Sequence, residues 1–321
     1  MRKTTKVALL LCLAVLAIPR IGHGQAGFVA PPLNPTGVQL ETKQLGSGVY
    51  ALLASRPPVD NSGFVVGERG VLVIDAHING AMAREIQAAV RRVTQKPILY
   101  LVNTNYHGDH TFGNYAFPAD TLVVAQRRTA ERMHDFAHEK AFLLQTVNND
   151  PTVYADAELR LPDIVFGDYL RLDLGGRVVE LYHFGPGNTP GDTVVYVPEA
   201  RVAWTGNLVG GEGSIPFLIE GGAQAYLGTM AQFAEALEVE TIVPGHGAMT
   251  SGRIFDRYLG YLSNLIRTVR EAARAGRSLE ETLQTPLAAA YAPPPDSPLA
   301  GFIRGVHGWN LRRTYQELNG R

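Results

Sequence analysis

Cysteine is almost missing from this 321-residue chain: the single one, Cys12, lies in the first apolar run and none follows it. The body of the protein can therefore form no disulfide and offers no thiolate to a metal. Leu11, just before Cys12, is too bulky for a typical lipoprotein cleavage site. A surplus of charge is missing as well. With 29 Lys and Arg against 30 Asp and Glu, the formal net charge is −1, and nothing resembles the basic footprint of a nucleic-acid-binding protein. The apolar run at residues 7–18 falls well short of the about 20 residues needed to span a bilayer.

What stands at the N-terminus instead reads as an export signal. Arg2, Lys3 and Lys6 precede the apolar run, and Gly24-Gln25-Ala26 supplies small residues at a cleavage point. Residues 1–26, His23 included, are expected to be a secretory signal peptide, and residues 27–37 a leader rich in Pro, Gly and Ala. The mature protein is then periplasmic or secreted, with no membrane attachment after cleavage. At 45% hydrophobic and 18% charged, the composition is that of one large soluble globular domain.

Short strand-type runs at residues 49–53, 63–66 and 71–74 are separated by turn formers, as in an antiparallel meander ending at Asp75. Met82, Ile86, Ala89, Val90 and Val93 recur at helical spacing and predict an amphipathic helix over 80–93. A buried strand at 98–102 follows, then a strand at 121–125, a helix-prone stretch at 127–144 and a loop at 148–163. Hairpins are expected at 169–184, around Gly175-Gly176, and at 194–204, before a helix at 223–237 and a strand at 241–243. Two β-rich halves, each covered by helices, argue a sandwich with helices outside. Beyond residue 251 only helices are expected: 254–275, one opened by the capping box Ser278 to Glu281, and 299–318 after Pro293-Pro294-Pro295. No chemistry is readable in that tail.

Directly after the 98–102 strand comes Asn105-Tyr106-His107-Gly108-Asp109-His110. Two imidazoles and a carboxylate on a loop at the end of a rigid strand suit zinc. The segment resembles the metallo-β-lactamase superfamily signature His-x-His-x-Asp-His, with Asn105 at the first histidine. Residues 71–75 look like the family's early strand ending in aspartate, and Gly187-Asn188-Thr189-Pro190-Gly191-Asp192 like its Gly-His-Thr-Pro-Gly-Asp loop. Thr205-Gly206-Asn207-Leu208 looks like its Thr-Gly-Asp-Leu segment, and Val243-Pro244-Gly245-His246-Gly247 matches its last histidine motif. Ordered motifs across residues 42–247 imply an α/β fold, the family's αββα four-layer sandwich, over residues 38–250. Residues 251–321 are expected to be extra C-terminal helices packed on the same domain.

The resemblance implies one zinc site at Asn105, His107 and Asn188, and a second at Asp109, His110, Asn207 and His246. Neutral amide oxygens replace two imidazoles in the first, which should cost it most of its zinc affinity. The second keeps Asp109, His110 and His246, and three protein ligands plus a water make the usual catalytic arrangement. One zinc is therefore expected rather than two. His107 or Asp109 would hold or deprotonate the water, and Asn105, Asn188 or Asn207 would donate hydrogen bonds to the developing oxyanion. A one-zinc subclass of metallo-β-lactamases also has asparagine first, but it binds zinc through a cysteine that is absent here.

The resulting expectation is an exported zinc hydrolase of a small ester, lactone or amide, β-lactams included, acting as a monomer or homodimer. The alternative is a ligand-binding protein that kept the fold and lost the metal, because all three departures are to Asn while Thr189, Pro190, Gly206 and Gly247 persist. A third reading is a two-metal site completed by asparagine oxygens, with a harder metal than zinc. Asp75 is expected to act behind the ligands. His183 reads as a strand-end residue, and His134 and His138 are spaced for one helix face. His77 and His307 have no partner visible in the sequence.

Overall fold

Strand after strand of β-branched and aliphatic residues builds two sheets, and the split of their side chains between two faces makes the layers. The computed structural model describes residues 32–146, 150–294, 297 and 299–320, so the expected signal peptide and the start of the leader lie outside the described residues. The first sheet runs in chain order: β1 (Leu40–Gly46), β2 (Val49–Ala54), β3 (Ser62–Val66), β4 (Val71–Ile74), β5 (Ile98–Asn103), β6 (Leu122–Gln126) and β7 (Ile164–Phe166). Its first four strands pair antiparallel and its last four, β4 to β7, parallel.

The second sheet holds β8 (Tyr169–Asp173), β9 (Val178–Tyr182), β10 (Val194–Val197), β11 (Val202–Gly206) and β12 (Thr241–Pro244), in the order β12-β11-β10-β9-β8. Only β11 and β12 pair parallel. The helices are α1 (Gly80–Val93), α2 (Gly108–Thr111), α3 (Arg127–Met133), α4 (Phe136–Thr146), α5 (Ala223–Ala236), α6 (Ile254–Arg274), α7 (Leu279–Leu283) and α8 (Ala300–Asn319).

Three separate apolar cores fill the spaces between layers. Leu72, Ile74, Val102 and Val124 meet Leu181, Val195, Trp204 and Val243 between the sheets. The alternate residues Val73, Leu101 and Val123 turn outward onto Met82, Ile86 and Val90 of α1. On the far side, Val194, Ala203 and Ile242 pack against Phe233 of α5, Leu262 of α6 and Leu311 of α8. The result is an αββα sandwich with extra C-terminal helices. Each such Val, Leu, Ile, Met or Phe side chain stabilises the fold by about 1.5–3 kcal/mol. Trp204 Nε1 also donates across the sheets to Ser62 O at 3.2 Å. A Cβ on neighbouring Gly63 would lie 2.3 Å from that nitrogen, so only glycine admits the indole.

Three elements differ from their sequence pattern, the first being β7, a three-residue strand where none is expected. β1 (LETKQLG) has only Leu40 buried, so it carries no apolar alternation, yet its backbone pairs with β2 along its length. The single helix expected over 127–144 is two, α3 and α4, with a break at His134 and Asp135. That break removes the one-face spacing of His134 and His138, which are both exposed. The capping box at Ser278 and Glu281 forms with both of its hydrogen bonds. Among the described residues, no helix is long and apolar enough to cross a membrane.

Candidate metal centre

The parallel pairs β4/β5 and β11/β12 bring four strand ends to one edge of the sandwich, where Asp60 of the β2–β3 connection pairs by backbone with His246. After β5 the chain turns into the one-turn helix α2, which carries Asp109 and His110. His246 follows β12, and Asn207 follows β11. Gly245 lies so close beneath them that a Cβ there would sit 2.8 Å from the His110 ring and 3.0 Å from Asn207 Oδ1.

Asp60, Asp109, His110 and His246 each turn one candidate ligand atom inward, all within 4.8 Å of one another. His246 Nε2 lies 3.2 Å from Asp109 Oδ2, and His110 Nε2 lies 3.7 Å from both Asp109 Oδ2 and Asp60 Oδ1. The far side of each ring is fixed. His110 Nδ1 donates to Asp75 Oδ2 at 2.8 Å, and His246 Nδ1 donates to the Pro58 carbonyl at 2.7 Å. With those protons committed, both Nε2 atoms face the Asp109 carboxylate, and His246 Nδ1 also lies 3.3 Å from Asp60 Oδ1. Asp75, the residue after β4, is itself held by the Thr104 amide and hydroxyl.

Asp60 Oδ1 and Oδ2 and Asp109 Oδ1 are buried and have no hydrogen-bond partner. Buried carboxylate oxygens are normally satisfied. Inward ring nitrogens beside unpartnered carboxylate oxygens, in a site without thiolate, form a donor set that fits a divalent cation.

The electrostatics of the protein alone point the same way. Burial opposes charge on His246, but Asp60 and Asp109 outweigh it and lift its pKa to about 9. Burial likewise works against His110, and Asp75 and Asp109 carry its pKa well above the usual imidazole range. Burial would raise Asp109, yet His110 and His246 hold it below the ordinary carboxylate range. Asp60 goes the other way, with burial as the dominant cause of a raised pKa. Each imidazole thus carries a proton that a cation would displace.

The other expected site residues lie beside this group. Asn207 Oδ1 is 3.1 Å from His110 Nε2. Asn105 Oδ1 accepts from the His107 amide, and its buried Nδ2 has no partner. Asn188 Nδ2 donates to Phe217 O, which leaves its buried Oδ1 as the free end. Asn188 therefore presents an acceptor, not the donor that an oxyanion needs. His107 is outside the four-residue group: its Nδ1 pairs with Glu139 Oε1 at 3.0 Å, and its buried Nε2 is unpartnered. Burial opposes a charge on His107, and Glu139 outweighs it, so the pKa is raised.

His183 is occupied with the Asp192 carbonyl, and His307 Nδ1 meets the Tyr261 hydroxyl 3.0 Å away. His77 accepts from the Ile78 amide through Nδ1 and donates through Nε2 to the Asp60 carbonyl.

A family model described as the metallo-beta-lactamase superfamily matches residues 56–246. The chain belongs to this superfamily. That match spans Asp60 through His246, the whole of the four-residue group. A 2,4-dinitroanisole O-demethylase subunit alpha from Nocardioides sp. is 23% identical over 181 residues, 56% of this chain and 47% of that protein. The chain thus spans about half the length of this curated relative. Among solved structures, a metallo-beta-lactamase from Pontibacter korlensis matches with a TM-score of 0.58 at 19% identity, over 70% of this chain and 100% of its own. A stereoselective inverting sec-alkylsulfatase from Pseudomonas sp. matches at 0.63 and 17% identity, over 87% of this chain and 50% of its own. At these identities the structural likeness shows the fold.

Asp60 and Glu139 were not legible as site residues. Asp60 sits in Pro57-Pro58-Val59-Asp60-Asn61, which reads as turn chemistry. Glu139 did leave a signal: it falls between Phe136 and Leu143 at helical spacing, an acidic residue on an apolar stripe.

Proposed function

We propose that this protein is an exported metal-dependent hydrolase with one zinc ion, acting on a small ester, lactone or amide, β-lactams among the candidates. The observation that carries this reading is the group of Asp109, His110 and His246, with ring nitrogens aimed inward and a carboxylate oxygen left unpartnered. Superfamily membership supports it, since hydrolysis is the usual work of the family's metal sites. The absence of cysteine after Cys12 sets the donor set apart from the cysteine-ligated one-zinc subclass.

When bound, zinc supplies a Lewis acid that polarises a carbonyl and makes water acidic enough to lose a proton near neutral pH. The chain's own residues do the rest. Asp109 accepts that proton through Oδ1, the oxygen no other group occupies. Asn105 Nδ2, buried and unpaired, and the Asn207 amide are the donors for the developing oxyanion. Asn188 orients substrate by accepting through Oδ1. His107, tied to Glu139, holds the α2 turn in place and offers Nε2 to a polar substrate group.

The deciding experiment is metal content per chain after zinc loading and removal of free metal, followed by a screen with chromogenic esters, lactones and β-lactams. About one zinc is expected, with hydrolysis lost in Asp109→Ala and His246→Ala. No zinc, together with saturable ligand binding that a chelator leaves unchanged, would establish the metal-free binding protein instead.

A further inference from the structure

Asn207 contributes only a neutral amide oxygen at the place where the resemblance puts a carboxylate, 3.1 Å from His110 Nε2. Asp109 alone would leave a divalent cation half-neutralised beside the fully buried His110. An uncompensated charge in such a place is costly. Beside the same nitrogen stands Asp60, 1% exposed, with Oδ1 3.7 Å from His110 Nε2 and 3.3 Å from His246 Nδ1.

Nothing in the loop needs the Asp60 side chain to hold it together. Asn61 donates its amide to Gly245 O and its Nδ2 to Pro244 O and Gly247 O, and its Oδ1 accepts from Ala54 N. The Asp60 carbonyl accepts from His77 Nε2 at 3.1 Å. The backbone is thus anchored on every side by other groups, while neither carboxylate oxygen accepts a hydrogen bond and one of them lies within 4.8 Å of a ligand atom of Asp109, His110 and His246. A purely structural aspartate would be expected to accept at least one of these bonds.

We propose that Asp60 is a metal ligand, supplying from the β2–β3 connection the carboxylate that position 207 lacks, so that one divalent cation is held by Asp60, Asp109, His110 and His246. This rests on the metal-hydrolase reading of the site. Two carboxylates balance the charge of the cation, two imidazoles bring the protein ligands to four, and the water of the hydrolase reading would be a fifth ligand, an expansion that catalytic zinc accommodates. The ligand has moved from the end of β11 to a loop bound to the end of β12, beside the same histidines.

The test is zinc affinity, read by competition with a chromophoric chelator, for the wild-type protein, Asp60→Asn and Asp60→Asn/Asn207→Asp. Asp60→Asn is expected to lose more than the about 10–100-fold that follows removal of an outer partner, and the double variant to regain much of it. Wild-type affinity in Asp60→Asn overturns the inference and leaves the one-zinc reading standing. Failure of the wild-type protein to take up zinc overturns both. If Asp60→Asn does not fold, the zinc-loaded wild-type crystal structure decides. An Asp60 oxygen at about 2.0–2.2 Å from the ion is expected, and one beyond hydrogen-bond distance overturns the assignment.

Discussion

Asp75 Oδ2 lies 2.8 Å from His110 Nδ1, and this one contact decides which way the histidine faces. The ring is wholly buried, so it has no water to turn toward. A carboxylate on Nδ1 fixes the proton there and leaves Nε2 directed at Asp60 and Asp109. The backbone supports the arrangement, because Asp75 sits at φ 60°, a conformation that, glycine aside, asparagine and aspartate tolerate best. Asp75→Asn should therefore fold, yet bind zinc about 10–100-fold more weakly. Chelator competition would show it, and unchanged affinity would mean that Asp75 serves only Thr104.

Glu139 joins two groups that have no other partner at those atoms. Its Oε1 accepts from the Gly108 amide at 3.1 Å and pairs with His107 Nδ1 at 3.0 Å. Glu139→Ala should cost about 1–3 kcal/mol, the usual penalty for leaving buried polar atoms unmet. Glu139→Gln keeps an acceptor and should cost less. Urea denaturation of the two variants gives the comparison, and equal stability of Glu139→Ala and wild type would sink it.

These two carboxylates mark the boundary of what the sequence could say. Asp75 was legible because it ends a strand whose apolar run is unmistakable, and α1 follows the periodicity of Met82, Ile86, Ala89 and Val90 to both of its ends. Asp109, His110 and His246 were legible because motif spacing carries them. Asp60 was not, since its place beside His246 is created by bonds between Asn61 and residues Pro244 to Gly247, contacts more than 180 residues apart in the chain. β1 was missed for a related reason: an edge strand held by backbone pairing needs little apolar patterning. The break between α3 and α4 comes at His134-Asp135, where nothing in the local composition demands one.

The C-terminal helices, where no chemistry was readable, reach the site through a loop. Asn310 of α8 accepts from Leu218 N at 3.0 Å and donates to Pro216 O at 2.7 Å, while Trp309 Nε1 donates to Leu218 O. The same loop receives Asn188 Nδ2 on Phe217 O and returns Glu220 N to Asn188 O. Asn310→Ala should cost about 2 kcal/mol and speed amide hydrogen exchange over residues 216–220, with β5 unaffected. Unchanged exchange at Leu218 would show that the loop holds itself without α8.

His77 makes the acid side of the stability curve predictable. Burial dominates its titration and lowers its pKa from 6.5 to about 3, against the weaker opposing pull of the Asp60 carbonyl. Nδ1 must stay unprotonated to accept from the Ile78 amide, so charging the ring would break that bond. Above the unfolded value neither state binds the proton and the group has no effect on folding. As pH falls below about 6.5, the unfolded chain takes up a proton that the folded chain refuses, and stability is lost progressively until about pH 3. The full loss is on the order of 5 kcal/mol. Asn fits the positive φ of 69° at this position and does not titrate. His77→Asn should therefore start less stable at pH 7.5, having lost a ring hydrogen bond, and then lose less than the wild type on acidification. The decisive quantity is the difference between the two metal-free proteins in urea-unfolding free energy, followed from pH 7.5 to pH 4. It should move steadily against the wild type toward acid, through zero, and a constant difference would show that His77 titrates normally in the folded protein.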